Sequence, residues 1–218
     1  FELGAGSSGI LSGSLTLNLS FTNSGMLTLS GATVGGTGSI ANAGNLTTAF
    51  STSNAINVAF TNLAGLGTIQ PLSSLMLSSF PTNDGNISIG SGVTLSTNNA
   101  PLANSATGVI QSNGTLDLGT GSFSNSGAAT FDGVYNVSTT NATGGVVTFN
   151  GSASTGTLNL SGGAVTGSGD LTVTTDINQS GGTLGTTFSD LVLNKLGNFT
   201  VGAAGFSAVD SVRLVATG

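Results

Sequence analysis

The chain contains no cysteine, no histidine and no tryptophan, and only two cationic side chains, Lys195 and Arg213, in 218 residues. Each absence removes a chemistry. Without cysteine there is neither disulfide nor thiolate, which fits a secreted bacterial surface protein that stays unfolded during export. Without histidine the commonest general base is missing and a Ser-His-Asp arrangement cannot be assembled; zinc sites built on Cys and His go with it. Two isolated cations cannot neutralise a phosphate backbone, so nucleic acid is not expected as a partner. No apolar run approaches the roughly 20 residues of a membrane-spanning helix. Aromatic residues are 6% of the chain with a single tyrosine, too few for the girdles of an outer-membrane barrel. Charged residues are only 5%, against about 25% in an ordinary domain, so solubility falls to hydroxyls and amides.

What remains is rich in glycine, 36 residues, and is 38% hydrophobic with a mean hydropathy of +0.35. Disordered chains are poor in apolar residues and rich in charge; this one is the reverse and is expected to fold. The net charge of −6 rests on Glu2, Asp84, Asp117, Asp132, Asp170, Asp176, Asp190 and Asp210.

The strongest positive signal is a repeat. Asn23, Asn42, Asn62, Asn83, Asn104 and Asn125 follow one another at intervals of 19, 20, 21, 21 and 21. Most sit in a motif of an apolar residue, then Asn, then Gly, as in FTNSG at 21–25, IANAG at 40–44, FPTNDG at 80–85 and FSNSG at 123–127. Cutting after these glycines and after later GG or AG turns gives nine units, 26–44, 45–65, 66–85, 86–108, 109–127, 128–145, 146–163, 164–182 and 183–205. Their mean length, about 20 residues, is that of a short solenoid repeat. Residues 1–25 supply the first strands and turn and 206–218 a terminal strand, so 1–218 reads as one continuous domain.

Within units, apolar and small polar residues alternate, as at Leu15, Leu17, Leu19 and Phe21 or Leu171 and Val173. Period two specifies strand, and the frequent Gly, Asn and Ser predict three short strands and three turns per unit. So small a unit cannot bury its apolar face alone. Successive units must stack, each strand pairing with its equivalent one turn on. The expected fold is all-β, a parallel β-helix or β-solenoid, and nine units at the interstrand spacing make a rod about 45 Å long. The asparagines are expected at αL-prone turns, each bonding backbone and the amide of the next, as a structural ladder.

Two other features stand out. Asp170, Asp190 and Asp210 recur at a constant interval of 20, one turn each, and all lie close before a strand. They are the candidate metal residues, a column that either binds Ca²⁺ through oxygen or caps turns; no other cofactor is expected. All three prolines, Pro71, Pro81 and Pro101, fall in one stretch with Met76. PLSSLMLSSFP at 71–81 allows one apolar helical face, but reads better as a distorted rung, and such excursions are where a solenoid usually carries binding specificity. Triplets of the form N-x-S/T, as at Asn86 and Asn136, follow from composition.

The stretches GMLTLSGATVGGTGSIANAGNL at 25–46 and GTLNLSGGAVTGSGDLTVTTDINQSGGTL at 156–184 resemble the strand repeats of bacterial autotransporter passengers and filamentous-haemagglutinin-type exoproteins. The ending GNFTVGAAGFSAVDSVRLVATG at 197–218 is similar to the same group. The resemblance implies a right-handed parallel β-helix, secretion to the bacterial cell surface, and adhesion or surface-layer roles. It carries over no ligand residues.

The expected function is therefore an extracellular structural or adhesive rod, a segment or subunit of a surface or filamentous adhesin, with no catalysis. Its partners would be a host or neighbouring-cell surface, through glycans or protein. The alternative is a carbohydrate-binding or carbohydrate-active β-helix, for which Lys195 and Arg213 near Asp190 and Asp210 are the only basic partners. An ice-binding solenoid needs Thr-x-Thr in every turn; Thr172 and Thr174 give one pair, and units 109–127 and 146–163 give none. The chain begins at Phe1 without Met or a leader, as a processed or excised piece would. Neither end shows a clear polar cap, with Glu2 at one and Arg213 at the other, so end-to-end self-association is expected.

Overall fold

The computed structural model describes residues 1–80 and 82–185, together with the backbone of three further strands, Asp190–Asn194, Phe199–Val201 and Val212–Val215. Among the described residues there is no helix, and every strand pairing is parallel. The first strand of each turn pairs with the first strand of the next, in a run beginning at Ser8, Met26, Asn45, Thr68, Asn86, Val109, Ala128, Val146, Ala164 and Thr183. The protein is a parallel β-solenoid of about ten turns with a spacing of about 19 along the sequence.

Each turn contributes to three faces. Alternation along the strands puts one column of Leu27, Leu46, Ile69, Ile87, Ile110, Ala129, Val147, Val165 and Leu184 inside the first face, all buried. Each fully buried Leu or Ile contributes about 1.5–3 kcal/mol, and because every rung adds its own, the core is a continuous axial stack. Phe60 and Phe80 meet edge-on at 5.3 Å. Farther along, Phe123, Phe131, Tyr135 and Phe149 form a cluster with centroids 4.7–6.0 Å apart.

The short-strand expectation holds in the middle of the rod, from Ser39 to Ser112. Near the start, Ser8–Thr16 and Met26–Gly35 run from the first face into the second as single strands. From Thr115 on, it is the second and third faces that share one strand, in Thr115–Asn125, Val134–Ala142, Ala153–Leu160 and Asp170–Gln179. Register shifts at Asp117/Gly119, Gly119/Ser122 and Thr155/Thr157 turn the corner without ending the pairing, which is how a bulge bends a strand. Gly119, with φ of +57°, sits at one such bend.

Two of the described rungs are longer than the rest. Those from Asn45 to Thr68 and from Asn86 to Val109 each take up several more residues than their neighbours, and the excess goes into corners at 49–53, 63–67, 90–93 and 105–108. In the unit cut at residue 66 the first strand starts at Thr68, because Leu66 and Gly67 belong to the enlarged corner. The proline-rich stretch is a distorted rung rather than a helix: Leu75 and Leu77 are buried and Met76 between them is half-buried, the alternation of the strand Leu75–Leu77.

The glycine that follows each asparagine has a steric cause. A Cβ on Gly44 would strike the carbonyl oxygen of Gly25, and one on Gly85 that of Gly67. At this corner consecutive rungs touch backbone to backbone, so no side chain fits.

Candidate functional site: an axial ladder, an acidic edge and a lateral groove

The six spaced asparagines lie at the ends of third-face strands, stacked in register as Asn23↔Asn42↔Asn62↔Asn83↔Asn104↔Asn125. All are buried. The Nδ2 of each of the first five donates to the Oδ1 of the next at 2.7–2.9 Å. The second Nδ2 proton goes to backbone, as from Asn83 to Gly85 O at 3.0 Å and from Asn125 to Gly127 O at 2.9 Å. Every amide is thus satisfied inside the core, where an unmatched one would cost about 1–3 kcal/mol. They do not occupy αL turns as the sequence suggests. Among the described residues, those with positive φ other than glycine are Ser51, Asn98 and Asn99; glycine makes the turn, and the inward strand position makes the ladder.

After Asn125 the inward column continues as Ala142, Leu160 and Gln179. The asparagines move one residue earlier and therefore to the outer surface. Asn159 Nδ2 donates to Asn141 Oδ1 at 2.8 Å, Asn178 Nδ2 to Asn159 Oδ1 at 2.9 Å, and Asn141 Nδ2 to Ser124 Oγ at 3.2 Å. Sequence reasoning missed this second ladder. Its signal was the spacing of 18 and 19 between Asn141, Asn159 and Asn178, without the glycine turn that marks the first.

Of the three candidate metal residues, Asp170 and Asp190 are Cα partners on adjacent rungs at the start of second-face strands. Asp170 is exposed. Asp210 lies outside the described residues, as does Lys195, and Arg213 is described by backbone alone. Among the described residues no group of three or more acidic side chains is placed to hold a metal ion. Two other aspartates serve as local acceptors: Asn150 Nδ2 donates to Asp132 Oδ1 at 2.8 Å, and Gly119 N to Asp117 Oδ1 at 3.0 Å.

The irregular rungs do build a concavity. Thr33, Ala55, Met76, Ser96, Asp117 and Asn136 form a continuous outward column on the second face. The short side chains of Ala55 and Ser96 flank the long one of Met76. A hollow of about 270 Å³ lies on one side, lined by Thr33, Ser53, Asn54, Ala55, Ser74, Leu75, Met76 and Ser96. Another of about 250 Å³ lies on the other, lined by Met76, Ser96, Asn98, Asn99, Asp117 and Gly119. They share Met76 and Ser96 and lie end to end along the axis, a shallow groove with Met76 across its middle.

The groove's walls are fixed from beneath. Asn54 Oδ1 accepts from Ala32 N at 3.0 Å and its Nδ2 donates to Thr52 Oγ1 at 2.9 Å and Ser73 Oγ at 3.3 Å. Ser73 N and Oγ both donate to the buried Thr48 Oγ1, at 2.8 and 2.9 Å. On the far wall Asn98 and Asn99 hold φ of 51° and 69°, a conformation Asn tolerates, while Asn99 Oδ1 accepts from Thr120 N at 2.9 Å. Asp117 Oδ1 also accepts from Asn136 Nδ2 at 3.1 Å. This geometry can hold a ligand through hydroxyls, amides and one carboxylate. Against protein-family models, curated proteins and solved structures, the chain has no match.

Proposed function

We propose that the protein is a stiff extracellular rod, a segment or subunit of a bacterial surface structure, that acts by contact along its lateral faces and catalyses no reaction. The observation that carries this reading is the unbroken axial stacking of rungs, locked from within by the asparagine ladder. A chain that repeats one rung makes a long, stiff and laterally exposed object. Its sequence is sparsely charged, at 5%, and its groove holds one carboxylate, whereas glycoside hydrolysis ordinarily takes two. At the first rung, Ser8–Thr16 pairs on one side, with Met26–Gly35, and Leu15, the partner of the fully buried Val34, is 39% exposed. We expect a further rung to cover that edge, in a longer chain or by end-to-end association of copies.

The test is direct. Antibody against the folded chain should label intact producing cells, and beads coated with the protein should attach to neighbouring or host cells more than albumin-coated beads do. Labelling only after lysis, together with attachment no better than albumin, would overturn the reading.

A further inference from the structure

We infer that the groove centred on Met76 binds an uncharged glycan chain lying along the solenoid axis. This supplies a ligand to the adhesive reading and rests on it. The column from Thr33 to Asp117 crosses five successive rungs, about 19 Å at the interstrand spacing, so the groove suits an extended oligomer better than a single small molecule.

The lining selects the chemistry. A sugar ring has apolar C–H faces and a rim of hydroxyls. Ala55 and Met76 give the groove a carbon floor, and Ser53, Ser74 and Asn98 stand around it. Asp117 adds a carboxylate whose Oδ1 is held by Gly119 N and Asn136 Nδ2, leaving Oδ2 to accept from ligand hydroxyls in the stronger, charge-assisted way.

Other ligands fit less well. The sequence carries no Lys or Arg before Lys195, so sulfated, phosphorylated or uronate polymers would meet a carboxylate and no counter-charge. Neither hollow offers an aromatic or arginine anchor of the kind that dominates protein interfaces. The fixed backing by Asn54, Thr48 and Ser73 also means that binding need not first order the walls, which removes part of the usual loss on association.

The experiment uses the whole chain on an array of neutral, sulfated and uronate-containing glycans, with the neutral binder measured by calorimetry. The expected result is selective binding of a neutral glycan, weakened about tenfold by Asp117→Asn, the loss of one strong hydrogen bond, and abolished by Ser96→Trp, which fills the shared wall. Thr148→Trp, on the first face, should bind as the parent does. If Ser96→Trp fails to fold, Asp117→Asn decides alone, since its Oδ1 contacts are retained by the amide. Unchanged affinity in Asp117→Asn, or preference for the acidic glycans, overturns the inference. If the array shows no binding while protein-coated beads still attach to cells, the groove assignment falls and the adhesive reading survives; failure of both removes both.

Discussion

At the scale of single residues, burial decides what an asparagine is worth. Asn83 donates to Asn104 and accepts from Asn62 within the core, so Asn83→Ala strands both neighbours and should cost about 2–4 kcal/mol, from two buried unmatched groups. Asn159, with the same amide-to-amide geometry on the outer face, loses its partners to water and should cost under about 1 kcal/mol as Asn159→Ala. Chemical denaturation of the two variants checks the contrast. The first ladder was legible because each asparagine precedes a glycine that only a backbone-to-backbone corner requires. The second, like Asn54, was not, because a polar residue in an alternating strand looks the same whether or not it stacks.

Tyr135 offers a residue-scale test by pH. It is buried among Phe123, Phe131 and Phe149 and shares a hydrogen bond with Thr140 Oγ1 at 2.7 Å. Burial pushes its phenol well above the ordinary range, and the Thr140 bond opposes this only in part. The folded pKa is raised, so the stabilisation is complete below the unfolded value, about 10, and is lost as pH rises above it and the unfolded chain releases the proton. Because this is the sole tyrosine and tryptophan is absent, phenolate absorbance reports it alone. We expect that absorbance to rise only together with loss of the strand signal in circular dichroism. Tyr135→Phe should weaken that alkaline sensitivity, at about 1 kcal/mol for the lost hydrogen bond. Free titration near pH 10 in a folded protein would contradict the burial.

At the scale of elements, the rung is the unit of both sequence and structure. Glycine turns revealed most rung starts because the corner tolerates no Cβ. Gly127 packs on the carbonyls of Ser105 and Gly108, and Gly127→Ala should cost about 1–3 kcal/mol through overpacking, measurable as a lowered denaturation midpoint. The corner at 63–67 moved one rung start from Leu66 to Thr68, since extra chain there has no periodic mark. The fused strands were also hidden: Gly119 and Gly156 look like strand ends, yet the ladder passes through them on bulges. Residues 146–163 form one full rung, with Val146 directly beneath Ala164. Their deletion should leave a folded solenoid whose denaturant m-value falls by about one tenth, as surface exposed on unfolding scales with rung number. Removing only 155–163 shifts the register by half a turn and should unfold the chain beyond the cut.

At the scale of the whole molecule, alternation and a period of about 20 residues were enough to specify a parallel stack, whereas the groove was legible only as the irregular stretch around Met76 and not in its shape. Its position depends on which corners absorb the extra residues of two rungs, and on Ala55 and Ser96 falling either side of Met76, a cross-rung relation that only the register reveals. The central claim is that positions about 19 apart in sequence are neighbours along one axis. Since the chain has no cysteine, spin labels can be placed at will on the first face, at Thr28 with Ser88, Thr130 or Thr166, which lie three, five and seven rungs away. Pulsed electron-spin measurements should give backbone separations of about 14, 24 and 34 Å, growing by about 4.8 Å per rung in narrow distributions. Distances that fail to increase linearly with rung number, or that are broad for all three pairs, would contradict the stacked solenoid.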